Sequence, residues 1–430
     1  MKQVLASSSA LLIGVMLLMV GNGLQGSLLG VRAGLEGFST FHISIIMSGY
    51  FAGFLGGSRT APWMIRRVGH VRVFAALASF ISAALILFPV VTNPVAWTLL
   101  RVVLGFCFSG VYVTAESWLN NASTNEVRGK ALSAYMLVQM VGIVLAQVIL
   151  SQGDPSGWVL FIIPSVLVSI SFAPILLSVT PTPPFETSKP MTLKRLFEVS
   201  PLGCVGMFLM GGVFAAQMGM AAVYATQAGF TLGEISTFIA VIYIGAVVLQ
   251  LPIGWISDRM DRRVVILVVA FIGGLSALTG AAFGDTLTVA LGAAFMTGGM
   301  ANPLYSLLIA HTNDYLEPDD MAASSGGLIF INGVGAVGGP VIAGYLMGMM
   351  GPNGYWALQA VLMLSVAGYA AYRTTRRAAI PVEETTHYVT VMPSASPVAS
   401  EVAQEVAIEL AEADDAALNP VETGSITPSS

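Results

Sequence analysis

Long apolar runs, separated by short charged or glycine- and proline-bearing turns, fill the chain from residue 6 to residue 372. Twelve of them approach the roughly 20 residues needed to cross a hydrocarbon core. They are residues 6–29, 42–61, 71–91, 96–120, 131–150, 158–179, 201–224, 235–257, 264–282, 287–312, 322–350 and 355–372. Each is predicted to be an α-helix, because in lipid a helix satisfies its own backbone hydrogen bonds. The first run has Lys2 ahead of it and small residues behind it, like a secretory signal. A mid-chain copy of it argues for a retained span.

Basic residues occupy alternate loops. One set carries Arg59, Arg66, Arg67 and Arg72; Arg128 and Lys130; Lys189, Lys194 and Arg195; Arg259, Arg262 and Arg263; and Arg373, Arg376 and Arg377. The opposite set carries Arg32 alone. The positive-inside rule therefore predicts that both termini are cytoplasmic. The chain also repeats. An offset of 192 residues pairs Gly14 with Gly206, Gln25 with Gln217, Gly53 with Gly245, Trp63 with Trp255 and Arg67 with Arg259. An offset of 191 continues the match, pairing Glu126 with Glu317, Ser133 with Ser324 and Gly142 with Gly333. The predicted fold is an all-α membrane protein of twelve transmembrane helices in two six-helix, pseudo-symmetric halves. Residues 1–179 form the first half, 180–200 a proline-bearing cytoplasmic linker, and 201–375 the second half. Parallel repeats of this kind place a solute site between the halves at mid-membrane.

Composition supports this and removes other classes. Hydrophobic residues make up 55% of the chain and charged residues 10%, with a mean hydropathy of +0.80, whereas a soluble domain carries about a quarter charged residues. The net charge of −5 reflects acids between Glu383 and Glu422 and gives no sign of a nucleic-acid partner. Residues 376–430, rich in Pro, Ser, Ala and Glu, are expected to be a disordered acidic cytoplasmic tail. The alternative for 401–418 is a short acidic amphipathic helix docked on an unknown partner. Cys107 and Cys204 lie in apolar runs and read as packing residues. No metal-ligand spacing, phosphate-cradling loop or nucleophile–base constellation is visible. No metal or cofactor is expected, and no enzyme.

One charged interruption is distinctive. Residues 254–263 read G-W-I-S-D-R-M-D-R-R, and 192 residues earlier stands a worn copy, P-W-M-I-R-R-V-G-H-V. With twelve spans and a six-plus-six repeat, this stretch resembles the loop signature G-x-x-x-D-R-x-G-R-R of the major facilitator superfamily. Asp261 stands where the second glycine is usual. In the first half, Pro62 replaces the first glycine and Arg66 the acid. Asp258, Arg259, Arg262 and Arg263, with Arg66 and Arg67, are read as a gate latch, in which the acid accepts hydrogen bonds from a neighbouring helix N-terminus. The alternative is a topology determinant alone. Arg101-Val102-Val103-Leu104-Gly105 resembles the family's R-x-x-x-G motif in the fourth span. The resemblance implies a coupling role for Arg101, while a residue snorkelling to the outer surface is the plainer reading. Glu116 is the one acid inside a span. It lies fifteen residues, or about 22 Å, beyond Arg101 on the same helix, so the two cannot pair. It either borrows into the first-half latch beside Arg66 or Arg67, or serves as a protonation site. The glycine run around Gly335, Gly339 and Gly344 is similar to an exporter motif of the family, displaced to span eleven.

The resemblance places spans one, four, seven and ten along a central cavity. Candidate cavity residues are Asn22, Gln25, Gln217, Asn302 and Tyr305, with Gln139 and Asn332 as neighbours. Gln25 and Gln217, being repeat mates, are expected to face one another. His311 reads as a loop-edge residue. Amides without a cluster of fixed charges suit a neutral or weakly polar solute. The expected function is secondary active transport of a small organic solute by alternating access in a bacterial-type inner membrane. Proton-coupled export by an antiporter is the first expectation. The alternatives are a nutrient or metabolite uptake symporter, and a transporter-like receptor or scaffold signalling through the acidic tail.

Overall fold

The computed structural model of the chain describes residues 2–122, 125–173, 191–377, 380–381 and 385–418. Regular structure among these residues is entirely helical. The first half contains α1 (Lys2–Leu35), α2 (Thr40–Val68), α3 (His70–Leu87), α4 (Pro94–Ala122), α5 (Asn125–Gln152) and α6 (Val159–Ser171). A short α7 (Leu193–Val199) precedes α8 (Pro201–Gln227), α9 (Leu232–Ser257), α10 (Arg262–Phe283), α11 (Leu287–Asn313), α12 (Pro318–Met350) and α13 (Asn353–Thr374). Last comes α14 (Pro397–Leu418). Ten of the described helices are long and apolar enough to cross a membrane. The 29-residue α2, ending in Arg66 and Arg67, and α6, whose described part is 13 residues, complete the twelve predicted spans. Most of the expected linker lies outside the described residues.

Helices gain nothing from the hydrophobic effect when they meet inside lipid, so close approach at small residues holds the bundle together. In the first half α2 crosses α4 at glycines. A β-carbon at Gly53 would collide with the carbonyl oxygen of Val102, and one at Gly105 with that of Tyr50. The second half repeats the crossing between α9 and α11, where a β-carbon at Gly245 would strike the Phe295 carbonyl and one at Gly298 the Ile242 carbonyl. The glycine of R-x-x-x-G is thus a packing contact. It brings Arg101, one turn earlier, against α2.

The arginine-bearing loops cluster at one face of the bundle, and at the opposite face the two halves are closed on each other. There Gln227 Nε2 donates to Thr40 Oγ1 at 2.8 Å, and Ser48 Oγ donates to the Val337 carbonyl at 2.5 Å. Phe51 meets Phe214 edge-on at 6.2 Å, and Gly30 of α1 lies against Ala222 and Val223 of α8.

Towards the arginine-rich face the halves part to form a vestibule, and the tail enters it. The described part of the tail includes a helix, α14, over the 401–418 stretch for which a docked helix was the alternative expectation, and it lies against the bundle. Val391, Met392, Ala395, Ser396, Ala399, Val402 and Ala403 are all buried. From Ala399 onward the small apolar positions follow helical spacing, and α14 sets that stripe against α4, α5 and α12. Sequence-average polarity misses this because the apolar residues are few but face one way.

Candidate functional site

In the half of the bundle nearer the closed face, α1, α2 and α4 enclose a polar network. Asn22 and Gln25, one turn apart on α1, share a helix face, and Gln25 Nε2 donates to Asn22 Oδ1 at 3.0 Å. Asn22 Nδ2 donates to Tyr112 Oη at 2.7 Å, and Tyr50 Oη donates back to Asn22 Oδ1 at 3.3 Å. Arg101 Nη1 donates to Gln25 Oε1 at 2.7 Å. Its guanidinium stands over the Tyr50 ring, 4.8 Å from the centroid, with Nη2 3.3 Å from Met47 Sδ. Arg101 is 1% exposed, and its Nε finds no hydrogen-bond partner. It therefore does not snorkel: it is a buried cation held by an amide, a ring face and a thioether, and none of the described acids forms an ion pair with it.

Next to this network lies a void of about 20 Å³, lined by Asn22, Ser27, Gln147, Gln217 and Tyr243 among others. That is room for roughly one water molecule. Gln217 Nε2 and Gln147 Oε1 are buried there without partners. Gln217 thus lines this void. Its repeat mate Gln25 turns instead to Asn22 and Arg101. The other predicted cavity residues do other things. Asn302 donates to the Gly298 carbonyl of its own helix at 3.4 Å, and Asn332 ties α12 to α8 through the Met207 carbonyl at 3.1 Å. Tyr305 is fully buried with its hydroxyl unpartnered, and Gln139 is buried on α5.

Glu116 lies towards the vestibule, 3% exposed. Tyr135 Oη donates to its Oε1 at 2.8 Å and the backbone N–H of Ser396 to its Oε2 at 3.1 Å. Its partners are therefore a phenol and the inserted tail rather than Arg66 or Arg67, which stand in the last turn of α2. Arg67 stacks over Trp63 at 5.3 Å.

In the second-half loop, Asp258 caps the C-terminus of α9 and sits 3.7 Å from Arg262. Its Oδ1 accepts a hydrogen bond from the tail, the N–H of Tyr388, at 2.8 Å. Arg262 is 2% exposed, forms an ion pair with Asp314 and donates to the Thr386 carbonyl at 2.5 Å. Arg259 turns outward over Trp255 at 4.2 Å. Asp261, in the usual glycine position, N-caps α10 by accepting from the Arg263 N–H at 3.0 Å and binds the Arg263 guanidinium at 2.7 Å. That donation holds its carboxyl below the ordinary aspartate range. His311 is 5% exposed and edge-on to Tyr315 at 5.1 Å.

Tyr50, Tyr112, Tyr135 and Ser306 complete these networks and escape a reading by charge. Tyr112 had one usable signal: it lies eleven residues after Arg101, three helical turns along the same face.

Comparison with known proteins agrees with the architecture. The sequence model of the Major Facilitator Superfamily matches residues 11–202 and 202–400. The uncharacterised MFS-type transporter YcaD of Salmonella heidelberg (strain SL476) is 26% identical over 344 residues, covering 78% of this chain and 88% of the relative. Its counterpart from Escherichia fergusonii is 26% identical over 347 residues, with the same coverage. Among solved structures, a point mutant of the nucleoside transporter NupG superposes with a TM-score of 0.74 at 16% identity, over 86% of this chain and 100% of that one. A bacterial homologue of the human lysosomal transporter Spinster gives 0.65 at 14% identity, over 94% and 97%. The chain is a multi-pass membrane transporter, not an enzyme, and it belongs to the Major Facilitator Superfamily.

Proposed function

We propose that the chain is a proton-coupled secondary transporter that exports a small organic solute by alternating access. In this reading the halves, residues 1–179 and 201–375, rock about the void beside Asn22 and Gln217, joined by the linker at 180–200. The arginine-rich face is cytoplasmic and the membrane is a bacterial inner membrane. Arg101 and Glu116 form a coupling stripe along α4, with Tyr112 between them. Asp258, Arg259, Arg262 and Arg263 brace the cytoplasmic gate when it closes, assisted by Arg66 and Arg67.

One observation carries the coupling: Glu116 is a buried carboxyl facing the vestibule, held by the Tyr135 hydroxyl and the Ser396 N–H, and it forms no ion pair among the described residues. A buried carboxylate without a counter-charge is costly, and taking up a proton relieves the cost. Export is favoured by the exporter-like glycines of α12 and by the R-x-x-x-G of α4. Reconstitution into proteoliposomes with an imposed pH gradient tests the proposal. Glu116→Gln keeps an acceptor for Ser396 and is expected to exchange solute at equilibrium while losing gradient-driven accumulation. Full gradient-driven transport by that variant would refute coupling through Glu116.

A further inference from the structure

The inserted tail is held through its main chain at residues 386, 388, 391 and 396, and also through the Thr386 hydroxyl, which donates to Asp314 at 2.9 Å and to the Ala310 carbonyl at 3.4 Å. Asp314 accepts from the Thr386 N–H at 2.9 Å, while Arg262 donates to the Thr386 carbonyl. Asp258 accepts from the Tyr388 N–H at 2.8 Å. Ser306 takes both polar groups of one residue: its hydroxyl donates to the Val391 carbonyl and accepts from the Val391 N–H, each at 3.0 Å. Glu116 accepts from the Ser396 N–H at 3.1 Å. These side chains come from both halves: Glu116 of α4, Ser306 of α11 and Asp314 at its C-cap, Asp258 of the α9–α10 loop and Arg262 at the start of α10, and together they address residues 386, 388, 391 and 396.

Residues 386–392 form no regular secondary structure, so their amides need partners from outside the segment. The vestibule supplies them as a neighbouring strand would. The side chains of Val391, Met392 and Ala395 are buried against apolar walls without a specific polar contact. Beside Tyr388–Met392 a groove of about 690 Å³, walled by Met136, Met140, Val247 and Leu251, opens to the outer surface of the bundle, where Leu251 is 77% exposed. At Tyr388, Val391 and Ser396 the vestibule therefore addresses peptide N–H and C=O groups.

We propose that the vestibule is a binding site for an extended stretch of peptide backbone, that residues 386–396 are its tethered occupant, and that the solute carried is a short apolar peptide or peptide-like amide. This rests on the transporter reading above and gives it a substrate class. The tail then acts as a competitor on a leash. It raises the local concentration of a mimic without blocking the site permanently, because the segment is held by separate hydrogen bonds that are each of modest net strength.

The test uses the purified chain ended after Thr385, which keeps all twelve spans, beside the full-length chain. The probes are a synthetic peptide of residues 386–396, the same peptide N-methylated at the positions of Val391 and Ser396, and trivaline. Thermal unfolding reads binding, since a ligand of the folded state raises its stability. The unmodified peptide is expected to stabilise the truncated chain saturably and to bind full-length protein at least about tenfold more weakly, one factor of ten being one step of the affinity scale. N-methylation should abolish the effect, and Ser306→Ala should weaken binding several-fold in the truncated chain. Should truncation prevent folding, a protease site between Arg377 and Thr385, cut after purification, releases the segment from folded protein. Equal binding of the N-methylated peptide, or of both chain lengths, overturns the proposal. Proteoliposomes separate it from the transporter reading. Trivaline uptake that increases on truncation is the expected result. Uptake of another solute, indifferent to peptide, overturns the peptide assignment alone. Peptide binding with no transport of any solute counts against the transporter reading and leaves the backbone site standing.

Discussion

Asp261 makes two contacts at the start of α10, capping the helix and pairing with Arg263. Replacing an N-cap aspartate by alanine costs about 1 kcal/mol and by glycine only a few tenths. Asp261→Ala should therefore lower the unfolding temperature measurably, while the cap lost in Asp261→Gly, which restores the family's usual residue, should cost less. Because Arg263 lowers the folded-state pKa of Asp261, its contribution is complete above the ordinary aspartate value of about 3.9. It is lost as pH falls through the lowered value. The gap in unfolding temperature between wild type and Asp261→Asn should thus close as pH drops below about 4. Gln25 makes a different prediction, since among the described residues it supplies the only side-chain oxygen to which Arg101 donates. Gln25→Leu should destabilise by roughly 2 kcal/mol, the scale of a hydrogen bond to a charged group, and unchanged thermal unfolding would refute that role. Charges in apolar surroundings made Arg101 and Glu116 legible in the sequence. Tyr50, Tyr112 and Ser306 were not legible, because tyrosine and serine are ordinary in membrane helices and only the fold shows which of them converge.

At the scale of elements, the α2–α4 and α9–α11 crossings set the distance between helices. A methyl group at Gly53 or Gly245 meets a carbonyl oxygen with nowhere to go. Gly53→Ala and Gly245→Ala should each destabilise by about 1–3 kcal/mol, as overpacking does, despite the better helix propensity of alanine. Gly292→Ala on α11 meets nothing within 4 Å and should be neutral or mildly stabilising. Equal effects at all three positions would mean that the crossings are looser than described. Spans and repeat were legible because hydropathy and an offset of 192 residues are properties of the string itself. The partners of Glu116 and Asp258 were not, since both accept backbone N–H groups of the tail, and a backbone donor leaves no residue signature. The tail's buried stripe was illegible for a related cause: it is built mostly from alanine, valine and serine, which composition counts as unremarkable.

For the whole molecule, closure opposite the arginine-rich face is the state described, and alternating access requires it to open. Thr40 and Gln227 touch there across the two halves. Introducing Thr40→Cys and Gln227→Cys together and joining them with a short bifunctional reagent should stop transport, with recovery if the linker is cleavable. Native Cys107 and Cys204 are buried and free, so they should react slowly. Full transport by the cross-linked protein would show that the halves need not separate at that face. The inserted segment also has a consequence for biosynthesis. Residues 386–396 follow every span in the chain, and they can dock only where the helices that carry Glu116, Asp258 and Ser306 have already come together, so water fills the vestibule until they do. Glu116, Asp258 and Ser306 therefore begin life hydrated, and the chain's own segment displaces that water afterwards. The bundle has to be stable enough to wait for its last piece, and that same stability would let it exchange the piece for a solute.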